Sequence, residues 1–316
     1  MIATFVIGFA GLLIGALAAY IGERGVQARA SRAIISDAMA LREDALPSFV
    51  AKRAELVDIV VAGGELERLA VPQAHQPGRG RPKVILIIDD VGADRQALSR
   101  LLQMPGEKTL SFLPYFHDVN ALATRAREAG ATIMLHLPME PKGSADPGPH
   151  ALHGEMSGID FLSALEWNLD RIDGVVGVNN HMGSSLTESR AAMVTVLAKL
   201  REEGLFFVDS VTTSDSAVRS AGQQVGATVY SRDVFLDPVS GDREVVRRQL
   251  RLAERIAHET GYVVAIAHPR KETLDVLGPW MVSAELRGFE LVPVTDLAEL
   301  EAPSAAILAS TPDLRL

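Results

Sequence analysis

From Lys83 onward the chain alternates short, almost unbroken apolar runs with amphipathic stretches, and this alternation restricts its fold more than any other feature. The runs are VILII (84–88), TLSFL (109–113), TIML (132–135), VVGV (175–178), LFFV (205–208), ATVY (227–230), VVAIA (263–267) and ELVPV (290–294). Strands apolar on both faces belong to parallel sheets covered by helices on either side. The stretches between them predict helices at 94–103, 118–129, 159–171, 188–203, 214–224, 242–260 and 272–287. Repeated strand–helix alternation gives an α/β class, either a β/α barrel or an open doubly wound sheet, over residues 83–300. The first strand is followed by Asp89-Asp90-Val91-Gly92 and not by a glycine-rich loop, which argues against nucleotide binding.

The segment before Lys83 has a different texture. Ile2 to Ile21 is apolar apart from Thr4, long enough as a helix to cross a bilayer, so residues 1–22 predict a transmembrane helix or signal anchor. A cleaved signal is the rival, with Ala16-Leu17-Ala18 as a small-residue cleavage pattern, although no Lys or Arg precedes the run. Residues 23–70 predict a helical stalk interrupted at Pro47 and Gly63-Gly64, and 71–82 a Pro/Gly-rich linker. Residues 301–316 form a tail. Arg24, Arg29 and Arg32 follow the apolar run, and by the positive-inside rule they would hold the remainder in the cytoplasm.

Composition narrows the chemistry. The formal charge is −9, with the acidic excess beyond residue 82, which argues against nucleic acid as a partner. The absence of cysteine removes disulfides, thiol nucleophiles and Cys-ligated metals, so any metal must be held by His, Asp and Glu.

Polar residues collect where the apolar runs end. Asp89-Asp90 follows the first run, His136 the third, Asn179-Asn180-His181 the fourth, Asp209-Ser210 the fifth and His268 the VVAIA run. A lone strand-end Asp is most often a helix cap. In a parallel β/α domain, however, all these ends share the face that carries active sites. Adjacent carboxylates beside a low-dielectric core repel each other, and a divalent cation relieves this. One Asp then ligates the metal while the other takes a proton from water, and His136 and His181 complete a His/His/Asp set. His268 is placed to protonate a leaving group.

The motifs IIDD (87–90), LHLPMEP (135–141), GVNNHMGS (177–184), LFFVDS (205–210), RDVFLD (232–237) and AIAHP (265–269) resemble the divergent polysaccharide deacetylases, a distant branch of the NodB-homology carbohydrate deacetylases. The resemblance implies a distorted seven-stranded (β/α) barrel that removes N- or O-acetyl groups from an envelope polysaccharide. It implies Asp89 as general base, Asp90 as metal ligand, His136 as the next ligand and His268 as general acid. The family's second metal-site histidine is replaced by Glu140, which leaves Glu140 or His181 as third ligand; imidazole suits zinc, and His181 is preferred. The usual Arg-Pro-Pro-Tyr motif is absent, leaving Asn179, Asn180 or a backbone N–H for the oxyanion, with Asp209 and Arg232 as further substrate-facing candidates. An envelope glycan implies a periplasmic barrel, against the charge rule. The altered motifs leave a non-catalytic glycan- or protein-binding module as the alternative. Tyr115, Phe116, Trp167 and Trp280 are the few aromatic candidates for a sugar platform, the two tryptophans falling in helical patterns.

Overall fold

The computed structural model describes residues 80–301. The expected membrane segment, the stalk, the linker up to 79 and the tail from 302 lie outside the described residues. Among the described residues no helix is long and apolar enough to cross a membrane.

Strands and helices alternate as β1 (Lys83–Val91), α1 (Arg95–Gln103), β2 (Thr109–Phe112), α2 (Val119–Glu128), β3 (Thr132–Met139), α3 (Gly158–Leu169), β4 (Gly177–Met182) and α4 (Arg190–Glu202). The second half continues with β5 (Phe206–Asp209), α5 (Val218–Val225), β6 (Val229–Ser231), β7 (Val234–Phe235), α6 (Arg243–Thr260), β8 (Tyr262–Ala267), α7 (Lys271–Ala284), β9 (Glu290–Val292) and α8 (Leu297–Leu300). Helix starts follow local chemistry. Asp94 caps α1 by accepting from the N–H groups of Gln96 and Ala97, and Asp242 caps α6 in the same way.

Every strand pair is parallel, in the order β6-β5-β4-β3-β2-β1-β8-β7, with β9 added to β1. The two ends of that path, β6 and β7, are neighbours in the chain, separated only by Arg232 and Asp233. Arg232 N–H donates to the Asp209 carbonyl at 2.9 Å and Asp233 N–H to the Val264 carbonyl at 2.9 Å. One run of chain therefore bonds β5 with its first half and β8 with its second, and the sheet curls round on itself. The expected seven strands become nine because ATVY and RDVFLD supply the two halves of this broken strand and ELVPV adds β9 along the edge of β1.

Strand alternation sorts the residues into two cores. Val84, Leu86 and Ile88 of β1 pack outward with the helices, as do Leu135, Val178 and Phe207. Ile85, Ile87, Met134, Val208, Tyr230, Val264 and Ile266 form a separate inner core. That inner core fills the lower part of the curled sheet. Above it the inward positions become polar.

Where the strand breaks, Asp233 Oδ2 accepts the Val264 N–H at 2.7 Å in place of a ladder carbonyl. Burial, with Glu301 adding to it against Arg232 and the Val264 N–H, pushes its carboxyl from 3.8 to about 7. A carboxyl raised on folding stabilises the fold fully below its unfolded pKa, and that contribution is lost as pH rises through the folded value. The window here runs from about pH 4 to 7, with an effect on the order of a few kcal/mol. Asp233→Asn, neutral at every pH, is expected to flatten this dependence. Its melting temperature should rise relative to wild type between pH 5 and 8; parallel curves would contradict the assignment.

Candidate metal centre and active site

The inward face of successive strands delivers the polar residues. Asp89 continues Ile85–Ile87 on β1, Ser111 lies on β2, His136 continues Met134 on β3, and Asn179 and His181 share one face of β4. His268 follows Val264–Ile266. Strand pairing sets His136 beside Asn179.

Asp90 would face outward by the same alternation, but β1 carries a bulge there. Ile88 pairs with Leu110 and Val91 with Phe112, so two β1 residues oppose one of β2. Asp90 sits at φ 55°, an uncommon conformation for a residue with a Cβ. The bulge turns the Asp90 carboxylate onto the rim beside Asp89, as bulges near functional sites commonly re-aim a side chain.

Three ligand atoms converge there. Asp90 Oδ1 lies 2.9 Å from His181 Nδ1 and 3.3 Å from His136 Nε2, and the two nitrogens are 3.2 Å apart. With zinc–ligand distances of about 2.0–2.1 Å, adjacent ligands are about 3.3 Å apart in a tetrahedron and about 2.9 Å in an octahedron. The observed triangle spans that range. Asp90 Oδ1 is buried, and no hydrogen bond is made to it among the described residues. Two imidazoles and a carboxylate form a donor set suited to a divalent cation such as zinc. The residues present fit such an ion.

Electrostatics divides the two aspartates. Burial pushes the Asp89 carboxyl up, more than His136, His268 and the Asn179 amide pull it down. Burial acts on Asp90 too, but the close approach of His136 and His181 outweighs it and holds the carboxyl well below the usual range. Burial disfavours a charged His136, and the neighbouring Asp89 and Asp90 carboxylates overcome this and push its pKa up. Asp89 Oδ2 lies 3.7 Å from His136 Nε2, beside the three converging atoms but outside them.

His268 approaches from the opposite side, with Nε2 3.6 Å from Asp90 Oδ2. Its Nδ1 is 3.0 Å from Oδ1 of Asp237, a residue only 1% exposed. Asp237 Oδ2 accepts from the His268 backbone N–H at 3.0 Å and from Thr273 Oγ1 at 2.8 Å. Burial raises Asp237, and His268, Thr273 and Arg270 more than reverse it, so its carboxyl is held low and ionised.

The other sequence candidates occupy different places. Glu140 stays apart from the triangle; its Oε2 accepts the Gly154 N–H at 2.7 Å and closes the base of the 140–154 loop. Asn179 is fully buried among other side chains. Its Nδ2 donates to Asp89 Oδ1 at 2.8 Å and Ser210 Oγ at 3.1 Å. Asn180 and Asp209 lie on the opposite strand face. Asn180 Oδ1 accepts the Ser210 N–H and its Nδ2 donates to the Met182 carbonyl. Asp209 accepts from the Val211 N–H and Ser216 Oγ, so both oxygens hold the loop after β5. Arg232 donates to the carbonyls of Ser210 and Val211, at 2.8 and 3.0 Å, and braces the same loop from within. The hydrogen bonds of these four hold the site and its loops together.

Asp237 in its role beside His268, and Ser111 beneath Asn179, were not singled out from sequence for these roles. Tyr115 lies toward the site. Burial and the Asp90 charge push its hydroxyl up, and its ring lies under the 140–154 loop, where a Cβ on Gly148 would sit 2.7 Å from it. Trp167 instead stacks on His150 at 3.6 Å, and Trp280 is buried against α6 with its N–H on Glu254.

Residues 86–298, which contain every residue of the cluster, match the family model described as divergent polysaccharide deacetylase. An uncharacterized protein of Escherichia coli, YibQ, is 32% identical over 195 residues, 62% of this chain and 61% of that protein. An uncharacterized protein of Haemophilus influenzae is 31% identical over 195 residues, 62% of this chain and 69% of its own length. The chain thus spans about three fifths of the Escherichia coli relative. The crystal structure of an uncharacterized Agrobacterium tumefaciens protein superposes with a TM-score of 0.66 at 23% identity, covering 72% of this chain and 99% of that one, and shares the fold. With two thirds of its length matched by one family model, the paired aspartates, the NNHMGS strand and the late histidine included, the chain belongs to the divergent polysaccharide deacetylase family.

Proposed function

We propose that the chain is a metal-dependent hydrolase that removes N- or O-acetyl groups from an envelope polysaccharide. The observation that carries this reading is the convergence of Asp90, His136 and His181, flanked by a buried Asp89 on one side and an Asp-paired His268 on the other. Those three residues would hold a divalent cation, with zinc the first choice for this ligand set; such an ion supplies a Lewis acid that acidifies water and polarises an acyl oxygen. Asp89, held through Oδ1 by Asn179, keeps Oδ2 for a proton drawn from the attacking water. His268, oriented through Nδ1 by Asp237, presents Nε2 to return a proton to the departing amine or alkoxide. The buried wall behind both groups keeps bulk water from competing for those protons.

We propose further that the protein belongs to the bacterial envelope, with residues 1–22 as anchor and the barrel on the periplasmic side; the apolar run Ile2–Ile21 and the proposed polysaccharide substrate support this reading. A periplasm-specific reporter fused to the C-terminus should be active, and a silent fusion would reverse that topology.

The test of the reaction is acetate release from acetylated cell-wall glycans and from small acetyl esters by full-length protein loaded with zinc. Asp89→Asn should retain the metal and lower turnover about 10²–10⁴-fold. Full turnover in Asp89→Asn would remove Asp89 as the base. No acetate from any substrate by metal-loaded wild type would favour a glycan-binding role.

A further inference from the structure

We infer that Asn179 is a positioning residue whose single amide sets both the tautomer of His136 and the free oxygen of Asp89. The inference rests on the metal-centre reading above. A primary amide has two N–H donors and two acceptor lone pairs. All four are used. The donors meet Asp89 Oδ1 and Ser210 Oγ, and the oxygen meets Ser111 Oγ at 2.5 Å and His136 Nδ1 at 3.0 Å.

The orientation of the amide follows from its partners. Nδ2 lies on Asp89 Oδ1 at 2.8 Å and on Ser210 Oγ, while Ser111 Oγ donates to the opposite end of the amide. The amide Oδ1 then faces His136, and an oxygen there requires His136 Nδ1 to carry the proton. His136 Nε2 is left with its lone pair directed at Asp90 Oδ1 and His181 Nδ1. Asp89, with Oδ1 engaged, turns Oδ2 toward the same point. Ligand and base are thus set by opposite ends of one fully buried group. Ser111 and Ser210 hold that group from β2 and from the end of β5. Outer hydrogen bonds of this kind commonly fix ligand tautomer and affinity in metal sites. The neighbouring Asn180 does a different job, tying the loops after β4 and β5 together.

Two substitutions separate the two ends of the amide. Asn179→Asp keeps an acceptor for the His136 Nδ1–H but loses both donors and puts a like charge beside Asp89. Asn179→Leu, of similar shape, loses both ends. The experiment uses zinc-loaded full-length protein labelled with ¹⁵N-histidine. Long-range proton–nitrogen spectra read the tautomer, chelator competition reads zinc affinity, and thermal melts establish that each variant is folded.

In wild type, His136 should show Nδ1–H with Nε2 on the metal, whereas His181 binds through Nδ1. Asn179→Asp should bind zinc as tightly as wild type, or more so, while acetyl hydrolysis falls. Asn179→Leu should lose about 10–100-fold in zinc affinity. A purely structural role would move melting temperature, affinity and hydrolysis together in both variants. Wild-type affinity in folded Asn179→Leu would overturn the inference and leave the deacetylase reading standing. So would a proton on Nε2 of His136 in wild type, a result that does not depend on how either variant folds. A wild-type protein that takes up no zinc would overturn both.

Discussion

Asp90→Gly is expected to abolish metal binding while leaving the barrel folded. Asp90 contributes one of three converging atoms and is the only anionic one among them. Its loss should cost more than the roughly 10–100-fold seen when a supporting residue outside the ligand shell is removed. Glycine is the informative replacement because Asp90 sits at φ 55°, a conformation that alanine tolerates poorly and glycine readily. Ligand loss is then read without added backbone strain. His181→Ala should behave like Asp90→Gly, and Glu140→Ala should keep the metal, because Glu140 spends its carboxylate on the Gly154 N–H. Chelator competition on the four proteins gives the answer. Metal loss in Glu140→Ala with retention in His181→Ala would reverse the ligand assignment.

His268→Ala is expected to lower turnover by about 10²–10⁴-fold with metal content unchanged. Its Nε2 lies 3.6 Å from Asp90 Oδ2, on the side of the cluster away from the two histidine ligands, and outside the ligand triangle. The companion substitution is Asp237→Asn. It keeps the size of the side chain but removes the charge that stabilises an imidazolium, and its NH₂ must face one of the two N–H donors, the His268 ring or the His268 backbone, that Asp237 now accepts from. Turnover should fall less than in His268→Ala, and more steeply for poor leaving groups such as amides than for activated esters. Kinetics on an activated acetyl ester and on an N-acetylated glycan separate these cases. Equal losses on both substrates would argue that Asp237 only supports the fold.

The fold was largely legible because each apolar run is long enough to be a strand and each intervening stretch has helical spacing. All eight runs overlap strands, with boundaries shifted toward the polar end where β3 and β4 continue to Met139 and Met182. The broken strand was not legible, since nothing in SRDV announces that Arg232 and Asp233 hand the chain from one neighbour to the other.

The site was legible in part, and strand alternation explains which part. Counting in twos from the inner core gives Ile85, Ile87, Asp89 on one strand, Met134, His136 on the next and Val264, Ile266, His268 on a third. The same count puts Asn180 with Val178 and Asp209 with Phe207, on the helix side. Proximity to a strand end had made all of them candidates, and parity separates them. Asp90 breaks the rule through its bulge, which strand counting has no means to foresee. Asp237 stood out in RDVFLD only as a residue that binds substrate or caps and pairs, without its partner. Its partner His268 is 31 residues away in sequence, and only the pairing of β7 with β8 brings the two together.

Asp90, His136 and His181 form the proposed metal centre on which hydrolysis would depend. Its most direct test is the metal content of purified full-length protein, by elemental mass spectrometry, with wild type beside Asp90→Gly after identical reconstitution. The proposed site predicts a single divalent ion per wild-type chain and none in the variant. Equal metal in both proteins, or none in wild type, would contradict it.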